Sequence, residues 1–120
     1  MYLLPSSAVK LVLDHAGLEA VTTAGKKVVI RWSDRSFSLR LFDLTSIPPA
    51  SKSPALKEFR FVLAAGHVFE APVGREVVSF ILAQARRNGL GIAGWRETPP
   101  PAGTVRSIRI SAARQGGHGG

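Results

Sequence analysis

The chain has 120 residues, enough for one domain, with 16 Lys and Arg against 8 Asp and Glu, a net charge of +8 and no Cys. Without Cys there are no disulfides, thiolate metal sites or cysteine nucleophiles. Met1–Ser7 lacks the basic and apolar blocks of a signal peptide, and no apolar run approaches the roughly 20 residues that span a bilayer.

Val9, Leu11 and Leu13 alternate with Lys10, Val12 and Asp14, the period of a strand. His15-Ala16-Gly17 predicts a turn, Leu18–Thr23 the returning strand, and Ala24-Gly25-Lys26 a second turn. In the third strand Val28, Ile30 and Trp32 share one face, and Lys27, Val29, Arg31 and Ser33 the other. Asp34 and Ser36 break it, and Phe37, Leu39 and Leu41 set the period of a fourth strand. Residues 45–54, rich in Pro and Ser, read as the longest internal loop. Strands are then expected over 58–63 and 67–70, joined by a turn at Ala65-Gly66, with Ala71-Pro72 ending the sheet.

One amphipathic helix is predicted from Val73 to Asn88. Val77, Val78, Ile81, Leu82 and Ala85 form its apolar stripe, with Phe80 at the margin and Arg75, Ser79, Gln84 and Arg86 facing away. Glu76 in the first turn and Arg86-Arg87 in the last complement the helix dipole. Residues 1–90 are thus expected to form the domain. Residues 91–120 read as a basic, Gly- and Pro-rich extension, disordered in part, in which 104–111 has the alternation of a short strand. Such a strand adds to an open sheet edge, either in cis or in self-association between molecules; the other reading is a disordered tail.

Within this pattern, the opening VKLVLDHAGLEAVTTAGKKVVIRWSD and the later FRFVLAAGHVFEAP before a closing helix resemble the pleckstrin-homology-like domains of bacterial proteins, over Leu11 to Asn88. The resemblance implies a mainly β, α+β fold: a half-open barrel of two antiparallel sheets capped by one C-terminal helix. The strand-then-helix order, with no catalytic constellation among the residues, predicts a non-enzymatic interaction module without a cofactor. In the phosphoinositide-binding members the first hairpin loop carries basic residues. Here that loop is Asp14-His15-Ala16-Gly17, with no permanent positive charge.

No catalytic constellation stands out. His15, His67 and His118 have no partner at metal-ligand spacing, and Ser33-Asp34 has no adjacent His. Gly89-x-Gly91-x-x-Gly94 follows a helix rather than a strand, the wrong context for a dinucleotide fingerprint. Trp32 is expected in the core.

The positive charge implies three classes of partner. The first is a protein or peptide, with the chain as a cytoplasmic module, whether free or part of a membrane-associated protein at the inner face. The second is an anionic lipid surface, through a site centred on Lys26 and Lys27 with Lys10 and Arg31 in support. The third is nucleic acid, on a sheet face where Arg31, Arg40, Arg60 and Phe42 all point outward.

Overall fold

The computed structural model describes residues 1–4, 9–48, 58–64 and 68–112. Alternating apolar and polar positions give antiparallel strands in two sheets. The first contains β1 (Tyr2–Leu4), β2 (Val9–Leu13), β3 (Gly17–Thr22) and β4 (Lys27–Arg31), in the order β1-β2-β3-β4. The second contains β5 (Ser38–Asp43), β6 (Phe59–Ala64), β7 (Val68–Val73), β8 (Gly91–Ala93) and β9 (Arg106–Ser111), in the order β7-β6-β5-β9-β8. The helix α1 spans Arg75–Arg87. The molecule is therefore mainly β, with two sheets that do not close into a barrel.

Each sheet turns one apolar face inward. Leu4, Leu11, Leu13, Leu18, Ala20 and Ile30 from the first meet Leu39, Leu41, Phe59, Phe61, Leu63, Phe69, Ile108 and Ile110 from the second in a single core. Trp32 is buried at the corner between the sheets, as its place in the strand pattern predicts. Its ring lies 4.9 Å from that of Phe37, and its indole Nε1–H donates to the Asp14 carbonyl at 2.8 Å. The turn after it is held by Asp34, whose Oδ1 accepts from the Ser36 amide at 2.9 Å and hydroxyl at 2.7 Å. These bonds favour the ionised carboxylate and hold its pKa below the ordinary 3.8.

The first turn also follows its sequence. Asp14 Oδ1 accepts from the amides of Ala16 and Gly17. Gly17 has φ +148°, and a Cβ there would lie 2.1 Å from the Ile30 carbonyl oxygen. Only glycine lets β3 and β4 approach at this point.

The helix starts two residues later than its pattern predicts, because Gly74 is the N-cap and Val73 still belongs to β7. That strand runs through Ala71 and Pro72, where the sequence placed the end of the sheet. Proline is tolerated there because β7 is an edge strand, with one side free of ladder bonds. At the helix start Arg75 lies with Nε 2.6 Å from Glu58 Oε1 and its guanidinium over the Phe59 ring, both side chains of the pair being exposed. Val78, Ile81, Leu82 and Ala85 enter the core and Val77 packs at its rim. Gln84 is a correction: it is buried rather than facing away, since it lies one turn beyond Ile81, on the same side of the helix. Phe80 reaches the first sheet, 5.0 Å from the ring of Tyr2 and 5.6 Å from that of His15. The helix ends as expected at Asn88-Gly89, where Leu90 N–H bonds the Ala85 carbonyl and Gly89 N–H that of Arg86.

Beyond the helix, Gly91 and Gly94 do not lie in a free linker. Gly91–Ala93 forms β8 on β9, and a Cβ on Gly94 (φ +90°) would lie 2.4 Å from the Ser107 carbonyl oxygen. The expected strand over 104–111 forms at Arg106–Ser111. It pairs with β5 along its whole length and with β8 on the other side, so the addition in cis is what the structure contains. The expected turn at Ala65-Gly66, most of the 45–54 loop, His67, His118 and the tail beyond 112 lie outside the described residues.

Candidate functional site

Pleating places Leu3, Lys10, Val12, Glu19, Val21, Lys27, Val29 and Arg31 on the outer face of the four-stranded sheet. Leu3, Val12, Glu19 and Val29 form one cross-strand row, and Lys10, Val21 and Lys27 the next. Leu3 and Val29 are exposed, at 68% and 49%, and Val12 and Val21 are half-buried beside them.

Three of the four basic residues singled out in the sequence come together. Lys10 and Lys27 flank Val21 in one row, and Lys26 follows the β3–β4 turn, where its amide donates to Thr22 Oγ1 at 3.1 Å. Arg31 is exposed on the same face but at the far end of β4, about 13 Å along the strand from Lys27. Lys27 also forms an ion pair, Nζ to Glu19 Oε2 at 2.9 Å. Both partners are well exposed, so the pair adds well under 1 kcal/mol to stability, but it removes much of the local charge excess.

Among the described residues no strand pairs with the outer side of β4. Thr22 N–H donates to Lys26 O and Trp32 N–H to Ala16 O, which sets the alternation of the ladder. Val28 and Ile30 accordingly bond to β3, while the backbone groups of Lys27, Val29 and Arg31 turn outward. Because β4 is the outermost strand, this edge can accept another strand.

The grouping of Arg31, Arg40 and Arg60 on one face does not hold. Arg31 lies on the four-stranded sheet, whereas Arg40, Arg60 and Phe42 share the outer face of the five-stranded one. Arg60 is ion-paired with Glu70 on β7. Arg109 on β9 stands directly opposite Arg40. The alternation of Ile108 and Ile110 put Arg109 on an outward position, but nothing in the sequence said which strand would lie beside it.

Among the described residues no group of three or more His, Asp or Glu side chains is placed to hold a metal ion, and no helix is long and apolar enough to cross a membrane. His15 is spent on an edge-on contact with Phe80, and the Asp34 carboxylate on its own turn. The Gly89–Gly94 segment runs from the helix end into β8 and opens no second helix. The chain matches no protein-family model, no curated protein and no solved structure.

Proposed function

We propose that the chain is a non-enzymatic interaction module of pleckstrin-homology-like type that binds a protein or peptide partner in the cytoplasm through its four-stranded sheet. The observation that carries this reading is the outer face on which Val12, Val21 and exposed Val29 adjoin the ion-paired Glu19, with exposed Leu3 beyond Val12 and Lys10, Lys27 and Arg31 at the margins. Exposed apolar side chains bordered by charge are what an association interface presents. The outward backbone of β4 adds hydrogen-bonding capacity to it. The seven strands that precede α1 support the pleckstrin-homology-like part of the proposal; the helix is not the C-terminal element expected, since β8 and β9 follow it and β9 lies within the second sheet.

The test is a Leu3→Thr/Val29→Thr variant, which keeps strand-compatible side chains. Its thermal midpoint should stay within about 3 °C of the parent, since exposed changes cost about 0.5 kcal/mol. Proteins cross-linked in cells to a photoreactive group at Val21 should be lost in the variant. An unchanged set would refute the assignment of this face.

A second reading, peripheral binding to anionic lipid, is favoured by the gathering of Lys10, Lys26 and Lys27 at one end of the sheet. Co-sedimentation with phosphatidylserine vesicles, abolished by Lys26→Glu/Lys27→Glu and by salt, would select it over the first.

A further inference from the structure

At its centre, the outer face of the five-stranded sheet breaks a rule of strand pairing. Arg40 on β5 and Arg109 on β9 are exposed and directly opposite in register. Side chains so placed have Cβ atoms about 4.5–5.5 Å apart, and like charges there repel. No ion pair among the described residues relieves this. Every Asp and Glu of the chain lies among those residues, and the ion pairs they form with the other described residues go to Lys27, Arg60 and Arg75. Glu70, the carboxylate on this face, is held by Arg60. Val62 and Ala93, which flank the arginines in the same cross-strand row, have no acceptor in their side chains. Hydroxyls lie on both sides: Ser38 and Ser111 are paired one step along the strands, and Ser107 faces Phe42 one step the other way.

We propose that Arg40 and Arg109, with Ser38, Ser107 and Ser111, form a site for a phosphate monoester on a phosphorylated segment of a protein partner. This rests on the reading of the chain as a protein-binding module and adds the chemistry its partner presents. Charge decides the ligand class. A phosphate monoester carries about −1.5 to −2 charge at pH 7, matching two uncompensated guanidiniums. A nucleic-acid phosphodiester or a carboxylate brings one charge per group. Guanidinium forks grip phosphate oxygens two at a time, and serine hydroxyls donate to those that remain. The bound anion cancels the repulsion between the arginines, so the pairing violation has the character of a functional site. A membrane fits less well, because the pair lies in the middle of a sheet face beside the Arg60–Glu70 ion pair rather than on a protruding loop.

The full chain is titrated with N-acetyl-O-phosphoserine amide while backbone amide NMR shifts are followed. Shifts are expected in residues 38–42 and 106–111. Affinity should fall roughly fourfold between pH 7.5 and 5.5, as the phosphate, with its second pKa near 6, regains a proton. Arg40→Thr and Arg109→Thr should each lose at least tenfold in affinity yet raise the thermal midpoint of the unliganded protein. Lys26→Glu/Lys27→Glu should bind as the parent does. Equal binding of dimethyl phosphate, a pH-independent affinity, or shifts elsewhere would overturn the site. A second arm compares phosphoserine peptides with vesicles bearing phosphatidylinositol 4-phosphate. Vesicles bound through Arg40 and Arg109, with no peptide binding better than the amide, would overturn the protein-partner reading while leaving the anion site standing.

Discussion

Gly17 shows how much can depend on one missing methyl group. Its φ of +148° and the 2.1 Å that would separate a Cβ from the Ile30 carbonyl leave no room for any other residue. Gly17→Ala should therefore cost more than the 1–3 kcal/mol of a strained backbone conformation alone, because β4 must also move away from β3. Thermal or urea denaturation measures this, and a change under 1 kcal/mol would mean that the strands separate freely. The positive φ was legible in the sequence as a glycine in a turn. The close approach of β4 was not, since it depends on a strand that follows one turn later.

The helix separates what periodicity reveals from what it hides. Its apolar stripe follows from the spacing of Val78, Ile81, Leu82 and Ala85, all of which are buried. The polar side chain of Gln84 points a reading of chemistry alone to the solvent face, yet the residue is buried. Its position, three residues after Ile81, gives the correct side when chemistry is set aside. Ile81→Ala should cost about 2–5 kcal/mol. Gln84→Ala should cost about 0.5 kcal/mol, from the loss of one buried methylene partly offset by the better helix former. Equal and negligible shifts in thermal midpoint for the two variants would show that this face does not enter the core. The strands of both sheets were legible for the same reason as the stripe. β1 and β8 were not, because three residues each, Tyr2–Leu4 and Gly91–Ala93, are too few to show a period, and the glycine that opens β8 resembles a linker.

On the scale of the whole molecule, strand order carries information that no local pattern holds. The alternation of 104–111 announced a strand; its position between β5 and β8 came only with the structure. That position also created the pairing of Arg40 with Arg109, so the arginine site was invisible for the same reason. The candidate face of the four-stranded sheet was partly legible, because Lys10, Lys26 and Lys27 come from neighbouring hairpins, whereas its apolar component was not singled out. Removing everything after Gly89 should take away two strands, open the edge of β5 and uncover Ile108's partners in the core. The shortened chain is expected to aggregate or to lose its cooperative transition, as read by calorimetry and light scattering. A monomeric product with an unchanged midpoint would contradict the central role of β9.

The same feature sets a timetable for synthesis. The registers that tie Ser38 to Ser111 and Asp43 to Arg106 join residues more than half the chain apart, so β5 leaves the ribosome long before its neighbour exists. Until residues 106–111 emerge, one side of a strand that ends up inside a sheet is an exposed template for other chains, and the late closure of so long a loop slows the final step. Yield from cells should therefore depend on how long the nascent chain waits, with chaperones that mask strand edges acting before the last segment is complete.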